Sequence, residues 1–281
     1  MPKPYLSLGL CSVTLRALGI EAVVAVAADA GLECIEWGAD VHVPPGDLDA
    51  ARRARAATES AGLRVASYGS YWRCAGPFAP VLASARELGA PRVRIWAGEV
   101  GSAGASPAER EEIARAARAA AATAVSPPAT AATPPTTAAT PPTTAATPPT
   151  TAATPATTAT SPPATAPIDL AFEFHGGTLT DDVDSALALI EASGVRAYWQ
   201  PPQDMADAAA LDALRRLPHV PAVHVFSWWP GSTRLRLCER RELWEAVFAT
   251  FTHGDALLEF VPGDDAALVA EEAEELRRVA R

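Results

Sequence analysis

Side chains able to do chemistry recur in this sequence at the ends of short apolar runs. Glu36 closes Cys34-Ile35-Glu36-Trp37, and Arg94 lies late in Arg92-Val93-Arg94-Ile95-Trp96. Glu173 and His175 end a run that begins at Leu170, Gln200 follows Arg196–Trp199, His224 sits inside Ala222–Phe226 and Glu259 inside Ala256–Phe260. A carboxylate within Leu257-Leu258-Glu259-Phe260-Val261 is costly to desolvate unless it is paired or ligated. Glu173, Gln200, His224 and Glu259 together offer two carboxylates, an amide and an imidazole. Such a mixed oxygen and nitrogen set suits one divalent ion, Mn2+, Co2+ or Mg2+ first, with Zn2+ also compatible. Each residue also has an ordinary reading: Glu173 or Glu259 as an ion-pair partner of Arg94, His224 as a hydrogen-bonded core histidine. Their joint occurrence at equivalent places favours the site.

The elements that would position these groups follow from the spacing of the runs. Strands are expected at Leu6–Cys11, Cys34–Trp37, Arg64–Tyr68, Arg92–Trp96, Leu170–Phe174, Arg196–Trp199, Ala222–Phe226 and Ala256–Phe260. Their centres are separated by 27, 30, 28, 78, 26, 26 and 34 residues, and the long interval falls to 36 once one odd segment of 42 residues is set aside. Helical stretches lie between them at Asp47–Ala61, Ala79–Leu88, Pro107–Val125 and Thr180–Ala192, three of them ending at or beside a glycine. Eight strand and helix units of about 30 residues predict an α/β fold, a (β/α)8 TIM barrel, with its active face where the loops after the strands gather. A doubly wound sheet is disfavoured, since Leu8-Gly9-Leu10-Cys11-Ser12 lacks the G-x-G-x-x-G turn. One barrel domain is therefore expected over 1–125 and 168–281.

The segment 126–167 is different in kind. From Ala131 it repeats Ala-Ala-Thr-Pro-Pro-Thr-Thr, a seven-residue period without any large apolar residue. Paired prolines block helix, so this is no coiled-coil heptad, and a disordered low-complexity insertion between helix 4 and strand 5 is expected.

Composition narrows the partners. A formal net charge of −10 over 281 residues supplies no basic surface for a nucleic acid. Cys11, Cys34, Cys74 and Cys238 are scattered, without a C-x-x-C pair, and read as reduced thiols. No apolar stretch approaches the roughly 18 residues of a membrane span. The expectation is a soluble, cytoplasmic protein acting on a small molecule, with a homo-oligomer compatible.

The stretches Ile35-Glu36-Trp37-Gly38, Phe172-Glu173-Phe174-His175-Gly176, Ala222-Val223-His224-Val225 and Leu258-Glu259-Phe260 resemble the sugar phosphate isomerase/epimerase group of the xylose isomerase-like TIM-barrel superfamily. The resemblance implies a divalent metal held by Glu173, His224 and Glu259, with Gln200 where that group carries a strand-six aspartate. Gln203 stands where it carries a histidine. It further implies that the ion polarises a sugar carbonyl and holds an enediolate while Glu173 and Glu259 move the proton, giving isomerisation or epimerisation. Around them Glu36, Trp37, His42, Arg94, Trp96, His175, Gln203, Trp228 and Arg234 are candidates for substrate contact, tryptophans through their faces and Arg234 through its forked donors. Alternatives are a degenerate barrel that binds a sugar or sugar acid without turnover, and a dehydratase on a keto-inositol-like substrate. An abasic-site endonuclease of the same superfamily is disfavoured by five histidines and the negative charge.

Overall fold

The computed structural model describes residues 5–126, 166–203 and 205–281. Barrel strands and helices alternate along them: β1 (Tyr5–Cys11), α1 (Ile20–Asp29), β2 (Cys34–Gly38), α2 (Leu48–Ser60), β3 (Arg64–Gly69), α3 (Ala79–Leu88), β4 (Arg92–Ile95) and α4 (Pro107–Val125). The second half runs β5 (Asp169–Phe172), α5 (Val183–Ser193), β6 (Arg196–Ala197), α6 (Asp207–Arg216), β7 (Ala222–Val225), a small hairpin of β8 (Ser227–Trp228) and β9 (Arg234–Leu235), α7 (Arg241–Thr250), β10 (His253–Leu258) and α8 (Val269–Val279). The parallel sheet has the order β6-β5-β4-β3-β2-β1-β10-β7. Its end strands meet where Trp199 bridges Val223, with His224 N–H donating to Trp199 O at 3.0 Å. The sheet thus curls into the eight-stranded (β/α)8 barrel expected from the spacing, and β10 is its eighth strand.

Local chemistry sets the helix ends. Asp47 accepts from Ala50 N–H at 2.9 Å to start α2. Ser106 and Glu109 form a reciprocal capping box around Pro107 at the start of α4. Asp182 accepts from the amides of Asp184 and Ser185, so α5 begins at Val183 and not at Thr180 as expected.

Alternation along the strands divides the side chains. Cys11, Cys34, Ala66, Ala171, Tyr198, Ala222 and Leu257 fill a small cluster inside the barrel. Their neighbours, among them Ile35, Val93, Ile95, Phe172, Trp199, Val223 and Leu258, join the larger core that includes buried helix residues. Because a strand repeats every two residues, the residue two beyond each interior position also points inward. That rule aims Glu36, Glu173, Gln200, His224 and Glu259 at the barrel axis.

Among the strand ends that differ from the expectation by one or two residues, two bear on the site. β5 stops at Phe172 and β10 at Leu258, so Glu173 and Glu259 stand just past their strands and not within them. Phe260 has φ +56°, which extended backbone cannot continue, and that turn ends the eighth strand. The β8–β9 hairpin after the seventh barrel strand was not anticipated. The expected disordered insertion, 126–167, lies outside the described residues except at its two edges, Ser126 and Ala166–Pro167. Those edges leave at the amino-terminal end of β5, opposite the end that carries the polar side chains.

Candidate metal centre and cavity

His224, fully buried, stands at the middle of the polar groups. Its Nδ1 lies 2.8 Å from Gln200 Oε1, 3.4 Å from Glu259 Oε2 and 3.8 Å from Glu173 Oε1. One ligand atom from each of Glu173, His224 and Glu259 lies within 4.8 Å of the others. The four side chains come from the ends of successive barrel strands, as the alternation requires. Two buried atoms in this cluster, His224 Nε2 and Glu259 Oε2, have no hydrogen-bond partner. A buried carboxylate oxygen without a donor is costly, and a cation beside Glu173, His224 and Glu259 would relieve it. The donor set therefore fits a hard or borderline divalent ion.

On the other side of the imidazole lies a second charged layer. His224 Nε2 faces Glu36 Oε1 at 3.3 Å. Arg94 donates through Nε to Glu36 Oε1 at 3.1 Å and through Nη1 to Glu173 Oε2. Ser67 donates to Glu36 Oε2 at 2.6 Å. Room for the guanidinium comes from Gly69, where an added Cβ would lie 2.8 Å from both Arg94 Nη2 and Glu36 Oε1.

The surroundings tune these groups in different directions. Burial opposes the charge on Glu36, but Arg94, then His224 and Ser67, outweigh it and hold the carboxyl at about 2. Burial likewise disfavours charge on His224, yet the carboxylates of Glu259 and Glu36 push it up to about 9 in the metal-free protein. Glu259 is pushed up to about 7, by burial first and by the like charge of Glu173, against the opposing pull of His224.

Above the cluster opens a cavity of about 560 Å³. Glu173, Gln200, Glu259 and Arg94 reach its lining, as do the expected Trp96, His175, Gln203 and Trp228. Trp96 stacks on His175 with ring centroids 4.2 Å apart, and Trp228 packs against Phe260 at 5.1 Å. The indole nitrogens of Trp96 and Trp228 are buried without partners. Arg234 does not line the cavity; it covers the rings of Trp228 and Phe260 at 5.1 and 5.0 Å and pairs with Asp264.

With Arg234, three further expected substrate contacts lie outside the cavity lining. Trp37 is fully buried on the outer side of β2, its indole N–H donating to Thr58 of α2 at 3.1 Å, because the residue after an inward Glu36 must point outward. His42 lies beside it, ring centroids 5.7 Å apart, with Nε2 at 3.0 Å from Leu18 O. Glu36 sits beneath the cavity floor and not in its lining. Arg16, Tyr71, Pro202, Phe226 and Phe260 line the cavity but were not singled out from sequence. Tyr71 follows β3 by two residues and Phe260 follows Glu259, so reading two residues past every strand would have found both.

No family model matches the sequence, and none of the curated proteins does. Solved structures match over nearly the whole chain. The probable 3-DHS dehydratase AsbF of Bacillus anthracis, involved in petrobactin synthesis, is 16% identical, with 96% of this chain and 98% of that one covered at a TM-score of 0.66. A D-allulose 3-epimerase from Methylomonas sp. is 13% identical, covering 100% and 99% at 0.64. A xylose isomerase-like TIM-barrel protein from Mycobacterium smegmatis in complex with magnesium is 14% identical, covering 98% and 96% at 0.60. The fold is that of the xylose isomerase-like TIM barrels.

Proposed function

We propose that the protein is a metal-dependent sugar or sugar-phosphate isomerase or epimerase. The observation that carries this reading is the convergence of Glu173, Gln200, His224 and Glu259 around one point, beneath a cavity of about 560 Å³ with aromatic walls. Sugar epimerases among the structural neighbours support it, and the neighbour holding magnesium supports a divalent ion.

Glu173, Gln200, His224 and Glu259 would hold the ion, which when bound supplies Lewis acidity to a carbonyl oxygen and its neighbouring hydroxyl. Trp96 and Trp228, with Tyr71, Phe226 and Phe260, supply the aromatic wall against which the apolar side of a sugar could pack. Glu173 and Glu259 then divide the proton work. Arg94 holds Glu173 in place, and Glu173 and Glu259 on opposite sides of the sugar act as a pair, one taking a proton from carbon and the other returning one. Removal from one carbon and return to the next isomerises a ketose; return to the opposite face of the same carbon epimerises it.

A second reading has its own support: a probable dehydratase is among the neighbours at a TM-score of 0.66. Dehydration begins with the same proton removal and differs in expelling a hydroxyl.

The test is elemental analysis and calorimetry with Mn2+, Mg2+ and Zn2+ on the wild type, Glu259→Gln and His224→Ala. Near-stoichiometric binding lost in both variants is expected, followed by exchange of a ketose C–H with D2O in the loaded wild type. Absence of binding at millimolar metal sinks the reading and leaves a barrel that binds sugars without turnover. Loss of water from a keto-polyol, without epimer formation, favours the dehydratase.

A further inference from the structure

We propose that Glu36 is a positioning residue that presents His224 to the metal, by accepting the Nε2–H of His224 and so leaving the Nδ1 lone pair for the ion. This inference rests on the metal-centre reading above. It starts from the two sides of one ring. Nδ1 faces Gln200, Glu259 and Glu173 at 2.8, 3.4 and 3.8 Å. Nε2 faces Glu36 Oε1 at 3.3 Å and has no hydrogen-bond partner in its present orientation. A neutral imidazole carries one proton, and the other nitrogen is an acceptor. With the proton on Nδ1, the Nε2 lone pair would face a carboxylate oxygen inside the barrel, acceptor against acceptor. With the proton on Nε2, a small rotation of the ring completes a charge-assisted bond to Glu36; Nδ1, whose N–H donates to Gln200 Oε1 at 2.8 Å in the metal-free protein, would give that proton up on metal binding and serve as a ligand among oxygen ligands. Metal-bound histidines commonly hold their second nitrogen to a carboxylate in this way.

Glu36 is built to be a fixed acceptor. Its Oε2 takes the Ser67 hydroxyl at 2.6 Å and its Oε1 takes Arg94 Nε at 3.1 Å. The pairing of β2 with β3 shifts register between Ile35 and Glu36, so that Ile35 faces Val65 but Glu36 faces Ser67. That bulge places the serine opposite the carboxylate. Glu36 does not line the cavity, so it acts on the site through His224 and not by touching a sugar.

The experiment uses the full chain with Mg2+ or Zn2+ alone as the probe. Calorimetry compares the wild type with Glu36→Gln, which keeps an acceptor oxygen, Glu36→Met, which removes it, and Ser67→Ala, which frees the carboxylate. Side-chain 15N spectra of the five histidines report the tautomer of His224, with His224→Ala giving the assignment. The expected result is an Nε2–H tautomer in the loaded wild type and a Kd weakened by about 10- to 100-fold in Glu36→Met. Glu36→Gln should lose less, and Ser67→Ala least. An Nδ1–H tautomer in the loaded wild type overturns the proposal. So do folded Glu36 variants with the wild-type Kd, or equal losses in Gln and Met, which would point to charge alone. If Glu36→Met does not fold, Ser67→Ala and the wild-type tautomer decide. A wild type that binds no cation removes the metal centre itself, a result distinct from any of these.

Discussion

Replacing Gln200 by glutamate should tighten metal binding. The substitution keeps the reach of a side chain whose Oε1 already lies 2.8 Å from His224 Nδ1, and it adds one negative charge. At an effective dielectric of about 20, two unit charges about 4 Å apart interact by about 4 kcal/mol, and a divalent ion doubles that. Against this stands the cost of burying another carboxylate, which is several kcal/mol. A net gain of about 1.4–2.8 kcal/mol remains, or about 10- to 100-fold in Kd. In the metal-free protein the sign reverses, because the new carboxylate joins Glu36, Glu173 and Glu259 around Arg94 and His224. Gln200→Glu should therefore melt below the wild type without metal and gain more from it. Saturation at about 100 times Kd adds about 2.7 kcal/mol to any folded protein. The assay is calorimetry with Mn2+ at pH 7.5 beside melting curves with and without the ion. A folded Gln200→Glu protein with wild-type or weaker affinity would refute the placement of residue 200 among the ligands.

Metal affinity should rise with pH. His224 is raised from 6.5 to about 9 in the metal-free protein; its proton therefore stabilises that fold fully below about pH 6.5, and the contribution is lost as pH climbs through 9. A bound ion displaces that proton, so calorimetry between pH 6 and 9 should show Kd falling by up to about tenfold per unit. The opposite slope would show that His224 is not a ligand. Arg94→Met should destabilise the metal-free protein by about 3–5 kcal/mol, since it leaves Glu36 and Glu173 as unpaired buried charges; urea unfolding measures this, and a change under 1 kcal/mol would contradict the ion pairs described. Replacing residues 127–165 by a short Gly/Ser linker should leave metal affinity unchanged. Ile168 N–H donates to Ala124 O at 3.3 Å, so the flanks are already joined on the face away from the site. A loss of binding in that deletion would show that the segment reaches the cavity.

Much of the barrel was legible because its evidence is local. Apolar runs at near-constant spacing, Gly89 and Gly194 after α3 and α5, and Ser106-Pro107 before α4 each report one element from a few neighbouring residues. The identity of the inward polar groups was equally legible, since alternation alone aims Glu173, Gln200, His224 and Glu259 at one axis. The partners of those groups depended on registers that no single strand encodes. Glu36 and Trp37 illustrate the limit. Both looked like rim residues, yet the pleat sends one beneath the site and the other against α2, and the β2–β3 bulge that gives Glu36 its serine leaves no mark in composition. The hairpin carrying Trp228 and Arg234 was hidden because two-residue strands show no periodicity.

The buried charges also explain why the site should favour a cation that shares its ligands. Arg94 already compensates Glu36 and takes one oxygen of Glu173, so Glu173 enters the cluster with only its other oxygen free. Glu259 has no such partner, and its Oε2 is the orphan acceptor. An ion placed beside Glu259 and His224 would draw on one full carboxylate, one shared carboxylate, an imidazole and a neutral amide. That set neutralises less of an ion's charge than a site with a third carboxylate at residue 200 would, so a bound ion would keep more attraction for the oxygens of a sugar. Affinity for the free ion should then be modest and should rise when a polyol with adjacent carbonyl and hydroxyl oxygens is present. Arg94 is the residue that sets this balance, because releasing Glu173 to the ion and keeping Glu36 fixed behind His224 are the two ends of one guanidinium.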